Sequence, residues 1–139
     1  MNRIVGIDYG RKRTGIAVSD PLGIFAQPLE TVPSAKIIEY LENYTSREKV
    51  VRFVVGYPMN LDNRPSEAAA YVDSFIKVLG KRFPGIQIVT EDERFTSVMA
   101  MRTMIDGGVR KMDRRDKSMV DKISAAMILQ SHIDRNGRI

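Results

Sequence analysis

The first part of the chain alternates short apolar runs with turn-forming residues, a pattern that is typical of β-strands. The segments Arg3–Asp8 and Thr14–Ser19 flank a turn rich in glycine and basic residues, which predicts an antiparallel pair. The turn Asp20–Gly23 leads to a third strand, Ile24–Thr31. Pro28 favours a sheet edge for this strand, because proline has no N–H to donate to a neighbour. The pattern predicts a three-stranded antiparallel meander.

Helical and strand patterns alternate in the rest of the chain. Apolar residues recur at helical spacing from Ser34, the predicted N-cap, to Ser46, and again over Ser66–Arg82. Between these helices, Val50–Gly56 is almost wholly apolar, as in a parallel strand buried on both faces. A fifth strand is expected in the segment GIQIVTEDER, and two further helices follow it, Thr96–Ile105 and Ser118–Asp134.

This order of elements predicts an α/β fold in a single domain over residues 1–139. The expected architecture is a mixed five-stranded sheet, with three antiparallel meander strands and two parallel strands, flanked by helices. A chain of 139 residues is long enough to bury its own core without disulfides or metals.

Composition restricts the chemistry that is available to the protein. The sequence has no cysteine, which excludes disulfides, thiolate metal sites and thiol nucleophiles, and a single histidine, His132, which excludes a multi-histidine zinc site. No apolar run is long enough to span a membrane and no signal peptide opens the chain, so we expect a cytoplasmic protein without a membrane partner. Any reaction must use carboxylates, lysines, hydroxyls or bound cations.

The charge of the chain is moderately basic. Lys and Arg number 22 against 17 Asp and Glu, which gives a net charge of +5 and favours a polyanionic partner such as nucleic acid. The most basic stretch, Asp106–Lys117, contains the residues Arg110, Lys111, Arg114 and Arg115. Two interpretations of this stretch remain open, a solvated loop between helices and a nucleic-acid contact.

Asp8 is the first candidate for a functional acid. Strand alternation places it on the same face as Gly6, opposite the small residues Gly15, Ala17 and Ser19 of the next strand. If the two small faces coincide, Asp8 stands beside cleared space that a bulky substrate could enter. The alternative is a structural aspartate, paired with a base across the turn.

The second group of acids is the segment EDER, Glu91–Arg94, at the end of the fifth strand. Three adjacent carboxylates repel one another, so a bound cation would compensate them. The N-terminal dipole of a helix beginning at Thr96 would compensate their negative charge equally well. Alternation does not settle which acid faces inward.

Asp121 is the third candidate, because it lies in the apolar stripe of the last predicted helix. The alternative is a capping box, in which Asp121 bonds back to the amide of Ser118. The small residues Ser124 and Ala125 would let this helix lie close to the sheet, which brings Asp121 toward the strand ends.

These three groups of acids are expected to converge, because ligands of parallel α/β sheets bind at the carboxyl ends of the strands. Three carboxylates without histidine or cysteine suit Mg²⁺ or Mn²⁺. Two such ions, roughly 3.5–4 Å apart, activate water and stabilise the leaving oxygen in phosphodiester hydrolysis.

Four segments, GIDYGRKRTGIAVSD, VVGYPMNLDN, EDERFTS and DKISAAMILQ, resemble in order and spacing the motifs of the YqgF family. These are bacterial proteins similar to Holliday junction resolvases and regarded as pre-16S ribosomal RNA nucleases. The resemblance runs from Ile4 to Gln130 and implies a ribonuclease H-like fold with metal-dependent nuclease activity on a ribosomal RNA precursor.

By position, the resemblance implies an acidic site of Asp8, Glu93 and Asp121, which would act as catalytic residues and as metal ligands. It also implies that four further residues touch phosphate or hold the acids: Gly10, Lys12, Arg13 and Arg94. RuvC-type resolvases carry an extra acid after the fourth strand and another in the last helix, whereas the fourth strand here ends in VVGYP. This departure disfavours full resolvase activity.

Three other functions remain as alternatives. The first is a resolvase of branched DNA, which would need a dimer to cut two strands, although the sequence leaves the oligomeric state open. The second is a non-catalytic module that binds nucleic acid. The third is ATP-dependent phosphotransfer, since DYGRKRTGIA also resembles the phosphate-binding hairpin of actin, Hsp70 and sugar kinases, which clamp ATP between two such domains.

Overall fold

The computed structural model of the protein describes residues 2–59, 66–93 and 117–136, and its strands form one five-stranded sheet in the order β3-β2-β1-β4-β5. The strands are β1 (Asn2–Tyr9), β2 (Arg13–Ser19), β3 (Ala26–Pro33), β4 (Lys49–Tyr57) and β5 (Gln87–Asp92). The helices are α1 (Ile37–Arg47), which a short 3-10 helix (Ser34–Lys36) precedes, α2 (Ala69–Arg82) and α3 (Lys117–Asn136). None of these helices in the described ranges is long and apolar enough to cross a membrane.

The sheet has the predicted mixed architecture. Strand β2 pairs antiparallel with both β1 and β3, and β4 pairs parallel with both β1 and β5. Pro28 lies in β3, which is an edge strand as predicted. The extent of the domain, 1–139, stays a prediction, and the predicted helix Thr96–Ile105 lies outside the described residues.

Several predicted boundaries are displaced by two or three residues. Strand β3 begins at Ala26 and ends at Pro33, two residues later than predicted, and α2 begins at Ala69, where Ser66 was the predicted start. The last helix begins at Lys117, one residue before Ser118. Turn and capping signals locate element ends only to within a few residues.

The prediction of Ser34 as the N-cap of the first helix is wrong. Helix α1 begins after Lys36 and has no side-chain cap, whereas the buried hydroxyl of Ser34 donates to the carbonyl of Gly10 and lies 2.8 Å from the Thr14 hydroxyl. The Ser34 amide also donates to the carbonyl of Lys12, at 2.9 Å. The hydroxyl therefore supplies a hydrogen bond to the carbonyl of Gly10 and fixes the turn between β1 and β2 to the 3-10 helix that precedes α1.

The two faces of the sheet are packed differently. Helices α1 and α2 cover a core of large side chains that includes Phe53, Leu41 and Leu79. On the other face α3 packs closely: a Cβ on Gly6 would stand 2.7 Å from Leu129 Cβ. Ser124 and Ala125 of α3 are fully buried, which confirms that small residues let this helix lie close to the sheet.

Candidate active site

The carboxyl ends of β1, β4 and β5 meet the start of α3 at one edge of the sheet. A cleft of about 150 Å³ opens there, and the three acids that the sequence singled out, Asp8, Glu93 and Asp121, all line it. Among the residues that the structure describes, the cleft is also lined by Tyr9, Gly10, Arg13, Gly56, Pro58, Ala68, Tyr71 and Val72. The predicted convergence of one acid from each of three distant segments is therefore present.

Asp8 lies at the end of β1, opposite Gly15 of β2, and is only 8% exposed. The space beside it at Gly15 was predicted to admit a substrate, and that prediction is wrong. A Cβ on Gly15 would stand 2.0 Å from the backbone oxygen of Asp121, so α3 itself occupies this space. The missing side chain of Gly15 instead allows α3 to bring Asp121 to the cleft.

The side chain of Asp121 bonds to the turn between β1 and β2. Arg13 Nε donates to Asp121 Oδ2 at 2.6 Å, and the two side chains are 42% and 20% exposed. Ser118 lies inside α3 and not at its N-cap, and its carbonyl accepts a hydrogen bond from the hydroxyl of Thr31. In the described part of the chain, Asp121 thus does not form the predicted alternative of a capping box.

The three acids at the end of β5 lie in different surroundings. Glu93 lines the cleft, and its Oε1 lies 3.2 Å from where a Cβ on Gly56 would stand. Asp92 is half-buried and does not line the cleft, whereas Glu91 is 3% exposed and faces α3. There Glu91 Oε2 accepts hydrogen bonds from Ser131 Oγ at 2.8 Å and from Arg135 Nη1 at 2.7 Å.

His132 lies beside Glu91 and outside the cleft. Its Nε2 lies 3.2 Å from Arg52 Nη1, and its Nδ1 lies 3.2 Å from Asn136 Nδ2. The same Nδ1 lies 4.0 Å from Glu91 Oε1. Burial lowers the pKa of His132, and the Arg52 charge lowers it further, against the opposing effect of Glu91. The ring is therefore neutral at pH 7.

The basic residues of the β1–β2 turn approach the cleft from one side. Gly10 and Arg13 line it, whereas Lys12 is exposed on the same turn. The Gly10 amide donates to the Arg13 carbonyl at 3.1 Å, and a Cβ on Gly10 would stand 2.6 Å from that oxygen, so the tight turn requires glycine. The remaining predicted phosphate contacts lie outside the described residues: Arg94, Arg110, Lys111, Arg114 and Arg115.

Sequence reasoning missed two aromatic residues of the cleft, Tyr9 and Tyr71. Tyr9 directly follows Asp8, and that adjacency was the available signal. Tyr71 lies on α2 outside the apolar stripe that predicted the helix, and nothing in the sequence links it to a strand that ends 62 residues earlier.

The lining of the cleft fits a divalent cation in its donor chemistry. Its acidic side chains offer only oxygen ligands, which Mg²⁺ and Mn²⁺ prefer. Within residues 2–59, 66–93 and 117–136, however, no three acidic or histidine side chains are close enough together to form a ready-made metal site. The three carboxylates therefore share the cleft without being arranged as a closed set of ligands.

Comparison with known proteins identifies relatives along nearly the whole chain. The family model described as "RuvX: Holliday junction resolvase" matches residues 2–135. A Porphyromonas gingivalis protein named "Putative pre-16S rRNA nuclease" is 50% identical over 99% of this chain and 100% of its own length. A Bacteroides fragilis protein of the same name is 48% identical over 96% of this chain and 97% of its own.

Among solved structures, the chain is similar to the Thermus thermophilus RuvC in complex with a Holliday junction substrate. The TM-score is 0.58 at 16% sequence identity, and the alignment covers 99% of this chain and 98% of that one. This similarity confirms the ribonuclease H-like fold that the sequence motifs implied.

Proposed function

The chain belongs to the RuvX family, and on that premise we propose that it is a metal-dependent nuclease that processes the 5′ end of pre-16S ribosomal RNA in the cytoplasm. The observation that carries the proposal is the cleft, where carboxylates from the end of β1, from the residue after β5 and from α3 come together. These three segments are distant in sequence, and a core made only for stability does not need acids from all three at one opening.

In this proposal Asp8, Glu93 and Asp121 hold Mg²⁺ or Mn²⁺. When bound, a pair of such ions activates water and stabilises the leaving oxygen of a phosphodiester. The chain itself supplies the anionic charge that retains the cations and the rigid strand ends that orient the carboxylates. Gly15 leaves room for the backbone of α3, and Gly56 leaves room for the Ile128 side chain of α3 and for the Glu93 carboxylate.

Arg13 has a part in the proposal through its bond to Asp121. Its guanidinium holds the Asp121 carboxylate at the cleft by a contact of 2.6 Å and places a positive charge where a substrate phosphate would enter. We assign Gly10, Lys12, Arg94 and the basic residues 110, 111, 114 and 115 to substrate binding, through the sequence resemblance and their charge.

The decisive experiment replaces Asp8 by asparagine and measures cleavage of an RNA that spans the 5′ end of the 16S precursor, with Mg²⁺ or Mn²⁺. The change removes an anionic ligand and keeps the shape of the side chain, so we expect cleavage to be lost while the melting temperature is retained. The matched control is Asp134→Asn, at an exposed α3 residue that accepts a bond from Gln130. An Asp8→Asn enzyme that cuts at the wild-type rate would refute the proposal.

A resolvase of branched DNA is the second candidate, which the description of the RuvX family favours. A four-way DNA junction in the same assay distinguishes the two substrates. Symmetrical cuts in two strands by a dimer would establish the resolvase, whereas cuts confined to the RNA precursor support the ribosomal function. Tight binding of RNA without any cleavage, with every metal tried, would indicate a non-catalytic binding module.

A further inference from the structure

A small aromatic cluster forms the wall of the cleft on the side of α2. The Tyr9 ring stacks on Phe75, with centroids 4.2 Å apart and planes inclined by 6°. The Tyr71 ring lies 6.2 Å from Tyr9 at an angle of 54°. Phe75 is buried and belongs to the core, whereas Tyr9 and Tyr71 are half-buried and line the cleft. The core therefore supports two aromatic rings beside the carboxylates.

An arginine from the turn between β1 and β2 lies over this wall. The guanidinium carbon of Arg11 stands 4.9 Å from the centroid of the Tyr71 ring, and Arg11 is exposed. Arg13 of the same turn bonds to Asp121, and both of these residues line the cleft. The turn thus presents one planar cation to the aromatic wall and another to the acids.

A second arginine–tyrosine pair shows what such a contact looks like without a cleft. Arg47 lies 5.8 Å from the ring of Tyr44, three residues earlier on α1, and neither residue lines the cleft. That pair is explained by helix spacing alone. Arg11 and Tyr71 come from a turn and a distant helix, so helix spacing does not account for their contact.

We propose that Tyr71 and Arg11 form a stacking subsite for one unpaired nucleobase of the strand whose phosphate lies at the carboxylates. The inference rests on the proposed nuclease function and specifies its substrate as single-stranded at this position. A base of a duplex is already stacked on both faces, whereas an unpaired base is free to stack on an aromatic ring or on a guanidinium plane.

The volume of the cleft suits a single small group. Its volume of about 150 Å³ is smaller than that of pockets for drug-sized ligands, which span roughly 300–1,000 Å³. Stacking of a base on an aromatic side chain strengthens binding by roughly 5- to 140-fold, which corresponds to about 1–3 kcal/mol. Stacking does not depend on the identity of the base. The subsite therefore distinguishes single-stranded from double-stranded nucleic acid and does not select a sequence.

The protein has no tryptophan, and this permits a direct test. The variant Tyr71→Trp carries one fluorescent ring in the subsite, and Tyr40→Trp carries it on α1 at a half-buried position that does not line the cleft. The probe is a single-stranded RNA oligoadenylate, titrated in EDTA so that no cleavage occurs. We expect the oligoadenylate at saturation to quench the tryptophan fluorescence of Tyr71→Trp and to leave that of Tyr40→Trp unchanged. The same strand in a duplex should quench the fluorescence of neither variant.

A second variant tests affinity without a fluorescent ring. Tyr71→Leu removes the aromatic face, so the oligoadenylate should bind roughly 5- to 140-fold more weakly by anisotropy, and the duplex should bind as before. Arg11→Lys keeps the charge and loses the plane, so it should weaken the single strand and leave the salt dependence unchanged.

The subsite is overturned if the single strand leaves the Tyr71→Trp fluorescence unchanged, or if Tyr71→Leu binds single strand and duplex as tightly as the wild type. These outcomes are separable from failure of the nuclease proposal. If the protein cuts RNA but its binding does not depend on the Tyr71 ring, the nuclease proposal stands and the subsite is refuted. If the protein binds RNA through Tyr71 but never cuts it, the subsite stands and the nuclease proposal is refuted.

Discussion

Glu91 and Glu93 stand two residues apart at the end of the same strand, yet their surroundings are opposite. Glu91 is 3% exposed and accepts hydrogen bonds from Ser131 and Arg135, two donors of the same helix. Glu93 opens onto the cleft that Asp8 and Asp121 also line. One region is a carboxylate that the chain surrounds with its own donors, and the other is a set of carboxylates gathered at an opening.

The difference concerns where the compensating charge comes from. Around Glu91 it comes from Arg135, which contacts the carboxylate at 2.7 Å and is fixed on the same helix as Ser131. At the cleft, Asp121 forms an ion pair with Arg13, whose side chain is 42% exposed on a turn and can leave without disturbing the core. Acids of the first kind contribute to stability, and acids of the second kind are those that the proposed function assigns to a divalent cation.

The largest effect is expected from Asp121→Asn. The variant loses the charge that would retain a divalent cation, so cleavage should fall by orders of magnitude and half-activity should require more Mg²⁺. Its stability should change little, because a partly exposed ion pair such as Arg13–Asp121 contributes only about 0.2–1 kcal/mol. A metal titration and a melting curve check both results. A variant that is destabilised and fully active would indicate that Asp121 has a structural role.

Gly15→Ala tests how closely α3 must approach. The added Cβ would stand 2.0 Å from the Asp121 carbonyl, which is backbone, so the helix has to shift. We expect a loss of about 3 kcal/mol in the free energy of unfolding, at the upper end of the usual cost of overpacking, and reduced cleavage because Asp121 moves with the helix. The control is Gly85→Ala, where a Cβ meets nothing within 4 Å. Equal denaturation midpoints for the two variants would contradict the close packing.

Glu91→Gln should give the reverse of the Asp121→Asn result. The amide keeps an acceptor for Ser131 but loses the charge-assisted bond to Arg135, whose side chain is 53% exposed and can rehydrate. We expect the free energy of unfolding to fall by about 1–2 kcal/mol, measured by chemical denaturation, while the folded enzyme cuts at the wild-type rate. Cleavage that is lost together with an unchanged stability would assign Glu91 to the cleft.

The smallest effect is a pH dependence of stability that arises from His132. Burial and the Arg52 charge lower the pKa of His132 in the folded state from the ordinary value of 6.5. As the pH falls through 6.5, the unfolded chain takes up a proton that the folded ring resists, so this residue makes folding less favourable at acid pH. His132→Gln lacks this proton uptake, so the stability difference between wild type and variant should shrink from pH 7.5 to 5.5, as measured by denaturation. A constant difference would contradict the lowered pKa.

Much of the fold was predictable because its signals are local. The wholly apolar run Val50–Gly56 identifies a buried parallel strand, and Pro28 identifies an edge strand. The wrong prediction for Ser34 has a tertiary cause. A serine before an amphipathic pattern is an ordinary N-cap signal, and only the folded chain shows that the carbonyl of Gly10 takes its hydroxyl.

The candidate acids could be named from the sequence, but their surroundings could not. The segment Glu91–Arg94 offers three acids in a row, and the position of α3 decides which of them is buried against Ser131 and Arg135. Similarly, Gly15 opposite Asp8 indicated empty space, and the helix that fills this space lies more than a hundred residues later in the chain. Tertiary contacts of this kind leave no periodic signal in either segment.

The bond between Arg13 and Asp121 joins residues 108 positions apart. During synthesis the β1–β2 turn leaves the ribosome before α3 is made, so Asp8 and Arg13 emerge before the helix that carries Asp121. Contacts of such high sequence separation form late, because the chain must first lose the entropy of closing a long loop. A nascent chain without α3 therefore lacks Asp121, and under the proposed function it becomes able to cleave RNA only after α3 has packed on the sheet.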